Sequence, residues 1–232
     1  MKKFFKSWNL FEKLFLLISL LIIIVCFFLG TDKNILSLIT SILGVITVIF
    51  GAKGLVWAPV VNLLYNIVYI ILSYTQGFYG EVLIYIFMMT PINIAMIVSW
   101  LKNKSKEDEN IVEVNKLNKK EYILLFVFTL IVAVGFYFIL KALHTTALFI
   151  STISLIDSFI ATYLLYRRCS NYALSYIVND IILIVLWSFS IKNNGVAYLP
   201  MVLSFLVFLV NDVYGLISWK KRERKQNKKE SL

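Results

Sequence analysis

Long apolar runs recur along the whole chain, and they constrain its fold more than any other feature. Eight can be distinguished, at residues 10–30, 35–52, 55–75, 79–101, 121–141, 145–166, 172–192 and 196–219. A helix needs about 20 mainly apolar residues to cross a bilayer, and these runs are close to that length. Because lipid offers no hydrogen bonds, each backbone group must be satisfied within the span, which favours helices. The sequence therefore predicts an all-α integral membrane protein with eight transmembrane helices.

The basic residues fall on alternate sides of these runs, which gives the expected orientation. Of the 23 Lys and Arg residues, all but Lys33, Lys141 and Lys192 share one side of the membrane with the N-terminus. Lys and Arg are retained in cytoplasmic loops, so both termini are expected in the cytoplasm. The net charge of +10 comes from basic residues in the loops, so it does not indicate nucleic-acid binding. We expect the lipid bilayer as a partner and no nucleic acid. Run 10–30 has no cleavage site after it and is expected to be a retained helix.

A weak internal repeat divides the chain. The stretch VVNLLYNIVYIILSYTQ (60–76) aligns with IVNDIILIVLWSFSIKN (177–193), which matches Asn62 with Asn179. The spacing from Asn93 to Trp100 is the same as the spacing from Asp212 to Trp219. Each copy contains three spans and begins outside, so the one helix that links them makes the repeats parallel. Transporters built from parallel repeats bind their substrate between the repeats, near the middle of the membrane.

One transporter domain, residues 1–232, is expected from this organisation. Its predicted parts are an N-terminal helix (10–30), repeat one (35–101), a mixed-charge cytoplasmic linker (102–120), a linking helix (121–141), repeat two (145–219) and a basic cytoplasmic tail (220–232). We expect the tail to be disordered.

Polar side chains inside the apolar runs mark the predicted binding site. Asp157, Asp180 and Asp212 each lie within such a run, where a charge costs roughly 2.5–3.5 kcal/mol on insertion scales. They must therefore face the bundle interior or a wet cavity, or be protonated. Helical spacing places further Asn, Tyr and Trp side chains on the same faces, and rings, amides and carboxylates suit a flat, polar ligand. The candidate lining residues are Asn62, Asn66, Tyr69, Asn93, Tyr176, Asn179, Asp180, Trp187, Asn211 and Asp212.

Two other interpretations of these residues concern structure and catalysis. Asn and Ser in membrane helices often only join helices through hydrogen bonds. Catalysis has no support, because the sequence contains no H-E-x-x-H or G-x-S-x-G motif. His144 is alone, and Cys26 and Cys169 form no ligand set. We therefore expect no enzyme activity, no metal and no cofactor.

The stretch GFYGEVLIYIFMMTPINIAMIVSW (77–100) resembles the PnuC family of bacterial vitamin and nucleoside transporters. The family pattern there is G-L-Y-G-E, a later Pro and a closing Trp, and the chain matches it without gaps. Matching positions are Gly77, Tyr79, Gly80, Glu81, Pro91 and Trp100, together with the turn Ala52–Lys53–Gly54 and the basic pair Arg167–Arg168. The resemblance covers about residues 35–220.

This resemblance implies a fold and a function. The family fold has three plus one plus three helices, is related to the SWEET sugar transporters, and often carries an extra N-terminal helix. The implied function is uptake of nicotinamide riboside across the bacterial plasma (inner) membrane by facilitated diffusion, with intracellular trapping by phosphorylation. The resemblance also implies that a homotrimer can form.

The chain departs from the family at ligand positions. The family Gln after the Pro is Asn93, and the family's W-x-x-W-x-x-x-N becomes Ala173, Tyr176 and Asp180. An unpaired carboxylate at Asp180 would favour a cationic ring, and the absence of a basic cluster within the spans favours an unphosphorylated cargo. Thiamine, riboflavin or a deoxynucleoside remain alternative cargoes. A membrane receptor or scaffold that binds without transport is the alternative from another class.

Overall fold

Each apolar run of the sequence forms a helix. The computed structural model describes residues 8–29, 35–75, 79–143, 148–194 and 199–230. Within them the helices are α1 (Leu10–Leu29), α2 (Ile35–Lys53), α3 (Ala58–Thr75), α4 (Tyr79–Ile84, Tyr85–Met89 and Thr90–Lys102 in succession), α5 (Lys119–Ala142), α6 (Leu148–Tyr166), α7 (Tyr172–Asn194) and α8 (Leu199–Glu230). Their bounds follow the predicted runs closely, except at the C-terminal end of α8.

The outer surface of the helices is apolar. On α5, for example, the side chains of Phe126 and Phe138 are 64% and 62% exposed. Such a surface requires lipid. Among the described residues, four stretches are long and apolar enough to cross a membrane: Ile35–Lys53, Ala58–Thr75, Val82–Lys102 and Lys119–Ala142. The all-α membrane fold is therefore confirmed, whereas the count of eight spans stays a prediction.

Helices α2 and α6 end in the same kind of turn. At the end of α2, Gly54 has φ of 68°, Leu55 N–H donates to the Phe50 carbonyl at 2.9 Å, and Gly54 N–H donates to Gly51. This is a Schellman motif, in which a left-handed residue lets the last helical carbonyls find donors. At the end of α6, Arg168 has φ of 59° and Cys169 N–H donates to the Leu164 carbonyl at 2.8 Å. Both helices are therefore stopped by backbone geometry.

Residues 103–118 form an ordered linker across these two turns. Val112 N–H donates to the Gly54 carbonyl, and Asn115 N–H donates to the Arg168 carbonyl, each at 2.9 Å. The side chain of Arg168 returns a bond to the Glu113 carbonyl at 3.1 Å. We call residues 103–118, together with the adjoining ends of α2 and α6, the linker end of the bundle. The linker ties together the ends of α2 and α6, which are far apart in sequence.

The prediction of a disordered tail was wrong. Helix α8 continues beyond the apolar run to Glu230. Lys225 Nζ lies 2.6 Å from Glu107 in the linker, Lys229 also pairs with Glu107, and Gln226 accepts from the Val114 N–H. The linker supplies partners for the polar face of the tail, and these contacts favour a helix where composition alone favoured disorder.

A buried ion pair attaches α1 to the rest of the bundle. Lys53 Nζ lies 2.7 Å from Glu12, and the two side chains are only 7% and 4% exposed. Tyr214 on α8 donates to the other Glu12 oxygen at 2.7 Å. Lys53 also lies over the ring of Trp8, 5.4 Å from its centroid. Glu12 therefore joins the start of α1 to both α2 and α8.

Helix α4 contains one π-helical segment, Tyr85–Met89, immediately before a proline. Thr90 N–H donates to the Tyr85 carbonyl, five residues back. Pro91 follows and has no N–H to donate to the preceding turn. The helix accommodates this loss by widening for one turn, and such π-bulges are often found at functional sites. The widening sets the direction of the Tyr85 and Met89 side chains.

Candidate functional site

A cavity of about 170 Å³ lies between helices α3 and α4 on one side and α6 and α7 on the other. None of its lining side chains is charged. The lining residues are Asn62, Tyr65, Asn66, Tyr85, Met89, Met96, Ser158, Thr162, Leu165 and Tyr176. The combination of aromatic rings, thioethers and a few polar groups is typical of a site for a small organic molecule.

Hydrogen bonds fix the direction of the amides on the α3–α4 wall. Asn93 Nδ2 donates to the Pro59 carbonyl at 2.9 Å, and this carbonyl can only accept. Asn93 Oδ1 must then accept from Asn62 Nδ2, at 3.2 Å. Asn62 therefore keeps its Oδ1 as an acceptor at the cavity. Asn66 is 2% exposed, and its Nδ2 has no hydrogen-bond partner among the described residues.

Three tyrosine rings form the aromatic part of the same wall. Tyr65 and Tyr69 stack with centroids 5.5 Å apart and an interplanar angle of 20°. Tyr85, from the π-helical segment, lies 4.4 Å from Tyr69 and 6.3 Å from Tyr65. Tyr69 does not line the cavity itself, but it supports the two rings that do.

Hydroxyl groups line the opposite wall. The Thr162 and Tyr176 hydroxyls lie 3.0 Å apart, and either can donate. Ser158 lies one turn before Thr162 on α6 and accepts from Asn179 Nδ2 at 3.3 Å. Rotatable hydroxyls can act as donor or acceptor, so this wall suits a polyhydroxylated group.

The carboxyl groups lie beside the cavity, not in its lining. Asp180 follows Tyr176 by one turn on α7, and both Asp180 and Asp212 on α8 are buried. Asn211 donates to the Val48 carbonyl on α2 at 3.1 Å and to Asp212 at 3.3 Å. Asp157 on α6 has one buried oxygen without a hydrogen-bond partner in the described part of the chain.

The structure places the predicted lining residues in different positions relative to the cavity. Asn62, Asn66 and Tyr176 line the cavity, and Asn93 and Tyr69 support residues that do. Asn179 instead joins α7 to α6, since it also accepts from Ser154 at 2.8 Å. The side chain of Trp187, like His144, lies outside the described residues. Away from the cavity lining lie Asp180, Asn211 and Asp212.

Several cavity residues were not among the predicted lining residues. Tyr65, Ser158 and Thr162 belong to polar faces visible in the sequence, yet their exact direction depends on helix packing. Tyr85 and Met89 could have been found only by recognising that Pro91 widens the preceding turn. Met96 and Leu165 are apolar and carry no sequence signal that separates a cavity wall from a helix interface.

A second cavity, of about 230 Å³, lies at the linker end. Its lining consists of Val114, Asn115, Lys116, Glu223, Gln226 and Asn227. It is a groove between the linker and the helical tail, outside the membrane-spanning part of the bundle. Its position gives it no route between the two sides of a membrane. The described residues contain no cluster of His, Cys, Asp and Glu suited to a metal ion.

Comparisons with known proteins agree with this architecture. The model of the nicotinamide mononucleotide transporter family matches residues 34–221. The nicotinamide riboside transporter PnuC of Neisseria mucosa is 27% identical over 227 residues, which cover 95% of this chain and 84% of that protein. A crystal structure of the vitamin B3 transporter PnuC matches with a TM-score of 0.77 and 25% identity, over 94% of each chain. All four helices that line the cavity lie within the family match.

Proposed function

Because the chain belongs to the nicotinamide mononucleotide transporter family, we propose that it carries nicotinamide riboside across the plasma membrane of a bacterium. The chain is a multi-pass membrane transporter and not an enzyme. Nicotinamide riboside has three recognisable parts: a carboxamide, a flat cationic ring and a ribose. The cavity between α3, α4, α6 and α7 offers a complement to each part.

The pair of amides on α3 carries the proposal. Asn62 presents its Oδ1 as an acceptor, because its Nδ2 is directed at Asn93, and Asn66 presents a buried donor that has no partner among the described residues. A primary carboxamide has one donor group and one acceptor, in the complementary arrangement. Its NH₂ would donate to Asn62 and its oxygen would accept from Asn66. A buried polar group without a partner costs about 1–3 kcal/mol, so satisfying Asn66 favours binding.

The remaining walls support the orientation of the rest of the cargo. Tyr65 and Tyr85 offer ring faces against which the pyridinium would pack, and aromatic faces attract cations. Across the cavity, Ser158, Thr162 and Tyr176 offer hydroxyls to the ribose. The carboxamide end would therefore point to α3 and the ribose to α6 and α7.

The lining argues for an unphosphorylated cargo. A phosphate is recognised by Arg, by Lys or by a cluster of backbone N–H groups, and the lining side chains of the cavity include no cation. We therefore favour nicotinamide riboside over its mononucleotide, although the family takes its name from the mononucleotide. Trapping by phosphorylation after uptake stays a prediction.

The two matching turns favour parallel repeats of three helices each, α2–α4 and α6–α8, joined by α5. In this register Gly54 corresponds to Arg168, Asn62 to Tyr176 and Asn66 to Asp180. This alignment of the two halves differs by about one helical turn from the sequence alignment of residues 60–76 with residues 177–193. The cavity then lies between the repeats, and rocking of one repeat against the other would open it alternately to each side.

Orientation and assembly complete the proposal. We place the linker end and both termini in the cytoplasm, because the basic residues concentrate there. The homotrimer implied by the family resemblance, and the eight spans, stay predictions. Cysteine accessibility at Lys104 on the linker, assayed in intact cells and in inverted vesicles, tests the orientation.

Uptake into proteoliposomes tests the function. With equal pH on both sides, labelled nicotinamide riboside should enter until its concentrations equalise. Unlabelled nicotinamide riboside should compete, and the mononucleotide should compete far less. Competition by thiamine, riboflavin or a deoxynucleoside instead would reassign the cargo. Binding without any flux would favour the receptor or scaffold alternative.

A further inference from the structure

Part of the linker between the two halves closes on itself as a short hairpin, residues 103–113. Glu113 N–H donates to the Asn103 carbonyl at 2.9 Å, and Lys104 and Val112 pair as antiparallel neighbours. The hairpin follows α4 directly, and the chain then continues into α5, which packs against α6. The linker is therefore the covalent connection across the boundary between the half α2–α4 and the part of the chain from α5 onwards.

Buried contacts hold the hairpin on the first half. Its bond to the Gly54 carbonyl at the end of α2 is joined by one from Val56 N–H to the Asn110 carbonyl, at 2.9 Å. Leu55 is 1% exposed, and Ile111 packs against the apolar cluster to which Leu55 belongs. Apolar side chains that leave water stabilise such a contact. The hairpin is therefore a fixed part of the half α2–α4.

Hydrogen bonds at partly exposed positions hold the linker on the second half. Asn115 donates from its backbone N–H to the Arg168 carbonyl at 2.9 Å, and from Nδ2 to the Arg167 carbonyl at 3.1 Å. Arg168 donates in return to the Glu113 carbonyl at 3.1 Å. Water can replace each partner at such positions, so these bonds contribute little net stability. This contact can therefore break while both halves stay folded.

The tail of α8 belongs to the second half and adds contacts of the same kind. Gln226 accepts from Val114 N–H at 3.1 Å, and Lys225 Nζ lies 2.6 Å from Glu107 near the tip of the hairpin. The Lys225 and Glu107 side chains are 64% and 43% exposed, and exposed ion pairs contribute little to stability. The contacts across the boundary are thus more exposed than those that fix the hairpin to the first half.

We propose that residues 103–115 form a latch at the cytoplasmic end of the bundle, whose release from α6 limits the rate at which the cargo leaves. This inference rests on the proposed function and on the rocking of the two halves, which must part at one end to release the cargo. Trp100 and Trp219 are fully buried where the halves meet near the linker end, so this end is closed in the structure. The latch moves with the half α2–α4 and holds the closed end until its bonds to Arg167 and Arg168 break.

A disulfide across the boundary tests the latch. Asn115 and Cys169 pair as parallel neighbours, and the spacing of paired strands, about 4.7–4.9 Å, suits a disulfide. Asn115→Cys should therefore bond to the native Cys169 on oxidation with copper phenanthroline, and Cys26→Ala removes the other native cysteine. The oxidised protein in proteoliposomes should still bind nicotinamide riboside but exchange it more slowly than the same protein reduced again, by a factor of roughly ten or more. Equal exchange rates, with the disulfide complete by mass spectrometry, would overturn the proposal.

A second disulfide controls for the effect of any cross-link in the linker. Leu55 and Ile111 pair as antiparallel neighbours within the first half, so Leu55→Cys with Ile111→Cys ties the hairpin to the end of α2. With both native cysteines replaced by Ala, this protein should exchange cargo equally fast when oxidised and when reduced. Slow exchange in the oxidised control would overturn the assignment to the boundary.

A loosened latch should have the opposite effect and needs no disulfide. Arg168→Gly removes the bond to the Glu113 carbonyl, and glycine adopts the φ of 59° found here without strain. Exchange should become about fivefold faster, the factor that corresponds to the loss of one ordinary hydrogen bond. If no disulfide forms at Asn115→Cys, this rate decides, and an unchanged or slower rate would overturn the proposal. If the native protein exchanges no cargo, the proposed function itself fails, and the latch with it.

Discussion

The indole rings of Trp100 and Trp219 contact each other near the linker end of the bundle, with centroids 5.8 Å apart. Both side chains are fully buried. Trp100 Nε1 donates to the Leu165 carbonyl on α6 at 3.2 Å, and Trp219 Nε1 donates to the Gly51 carbonyl on α2 at 3.0 Å. Each tryptophan thus donates a hydrogen bond to a carbonyl at the end of the first helix in the other half of the chain. These reciprocal hydrogen bonds link the two halves of the chain.

The two tryptophans should therefore be equivalent in stability. Trp100→Phe and Trp219→Phe each remove one buried donor and leave a helix-end carbonyl unsatisfied, which costs about 1–3 kcal/mol. Both variants should lower the thermal midpoint in detergent by similar amounts. Trp57→Phe changes a tryptophan that is 49% exposed and should leave the midpoint unchanged. A loss in only one of the buried variants would contradict the equivalence of the two halves.

The π-helical segment should depend on Pro91. Pro91→Ala restores an N–H, which allows the Tyr85–Met89 turn to tighten to an α-helix and rotates both side chains away from the cavity. We expect the variant to be as stable as the native protein but to bind nicotinamide riboside at least tenfold more weakly. Calorimetric titration and a thermal midpoint measure the two effects. Ile94→Ala, at a half-exposed position of the same helix, is the control, and unchanged affinity in Pro91→Ala would disprove the link.

The ion pair of Glu12 and Lys53 should stabilise the attachment of α1. Removing one member leaves a buried charge without its partner, which typically costs about 3–5 kcal/mol. Glu12→Gln and Lys53→Met should therefore each lower the thermal midpoint, and the double variant should recover part of the loss. Lys13→Met, at an exposed neighbouring position, is the matched control. Additive losses in the double variant would show that the two side chains act independently.

Acid should release the linker from the helical tail. Contacts with Lys225 and Lys229 lower the pKa of Glu107 to about 2, from an ordinary value of 4.5. Because the folded-state pKa is depressed, the contact contributes above pH 4.5 and is lost as the pH falls through about 2. Spin labels at Glu109→Cys and Lys221→Cys, in a background without native cysteines, should give a narrow distance distribution at pH 6 and a broad one near pH 2. The distance distribution of Glu107→Gln should be broad at both pH values. A narrow distribution at low pH in the protein that retains Glu107 would contradict this account.

The sequence predicted the helices well and the site only in part. Lipid demands long apolar helices, so the run lengths determine the bounds of α1 to α7 within a few residues. The end of α8 could not be predicted from composition, because its helical tail depends on Glu107 and Val114, which are distant in sequence. Asn62, Asn66 and Tyr176 line the cavity, and their role in binding stays a prediction. Asn179 faces α6 instead of the cavity, since helical periodicity identifies a polar face but not the neighbour that it meets.

The most direct measurement is a calorimetric titration of the native protein and of Asn66→Leu with nicotinamide riboside. The central claim is that the cavity between the two halves binds the carboxamide through Asn62 and Asn66. The native protein should bind, and Asn66→Leu, which keeps the side-chain volume but removes the donor, should bind at least tenfold more weakly, as one lost hydrogen bond predicts. Nicotinic acid riboside, whose carboxylate offers no donor to Asn62, should be rejected by the native protein. Equal affinity of native protein and variant for nicotinamide riboside, both folded, would contradict the claim.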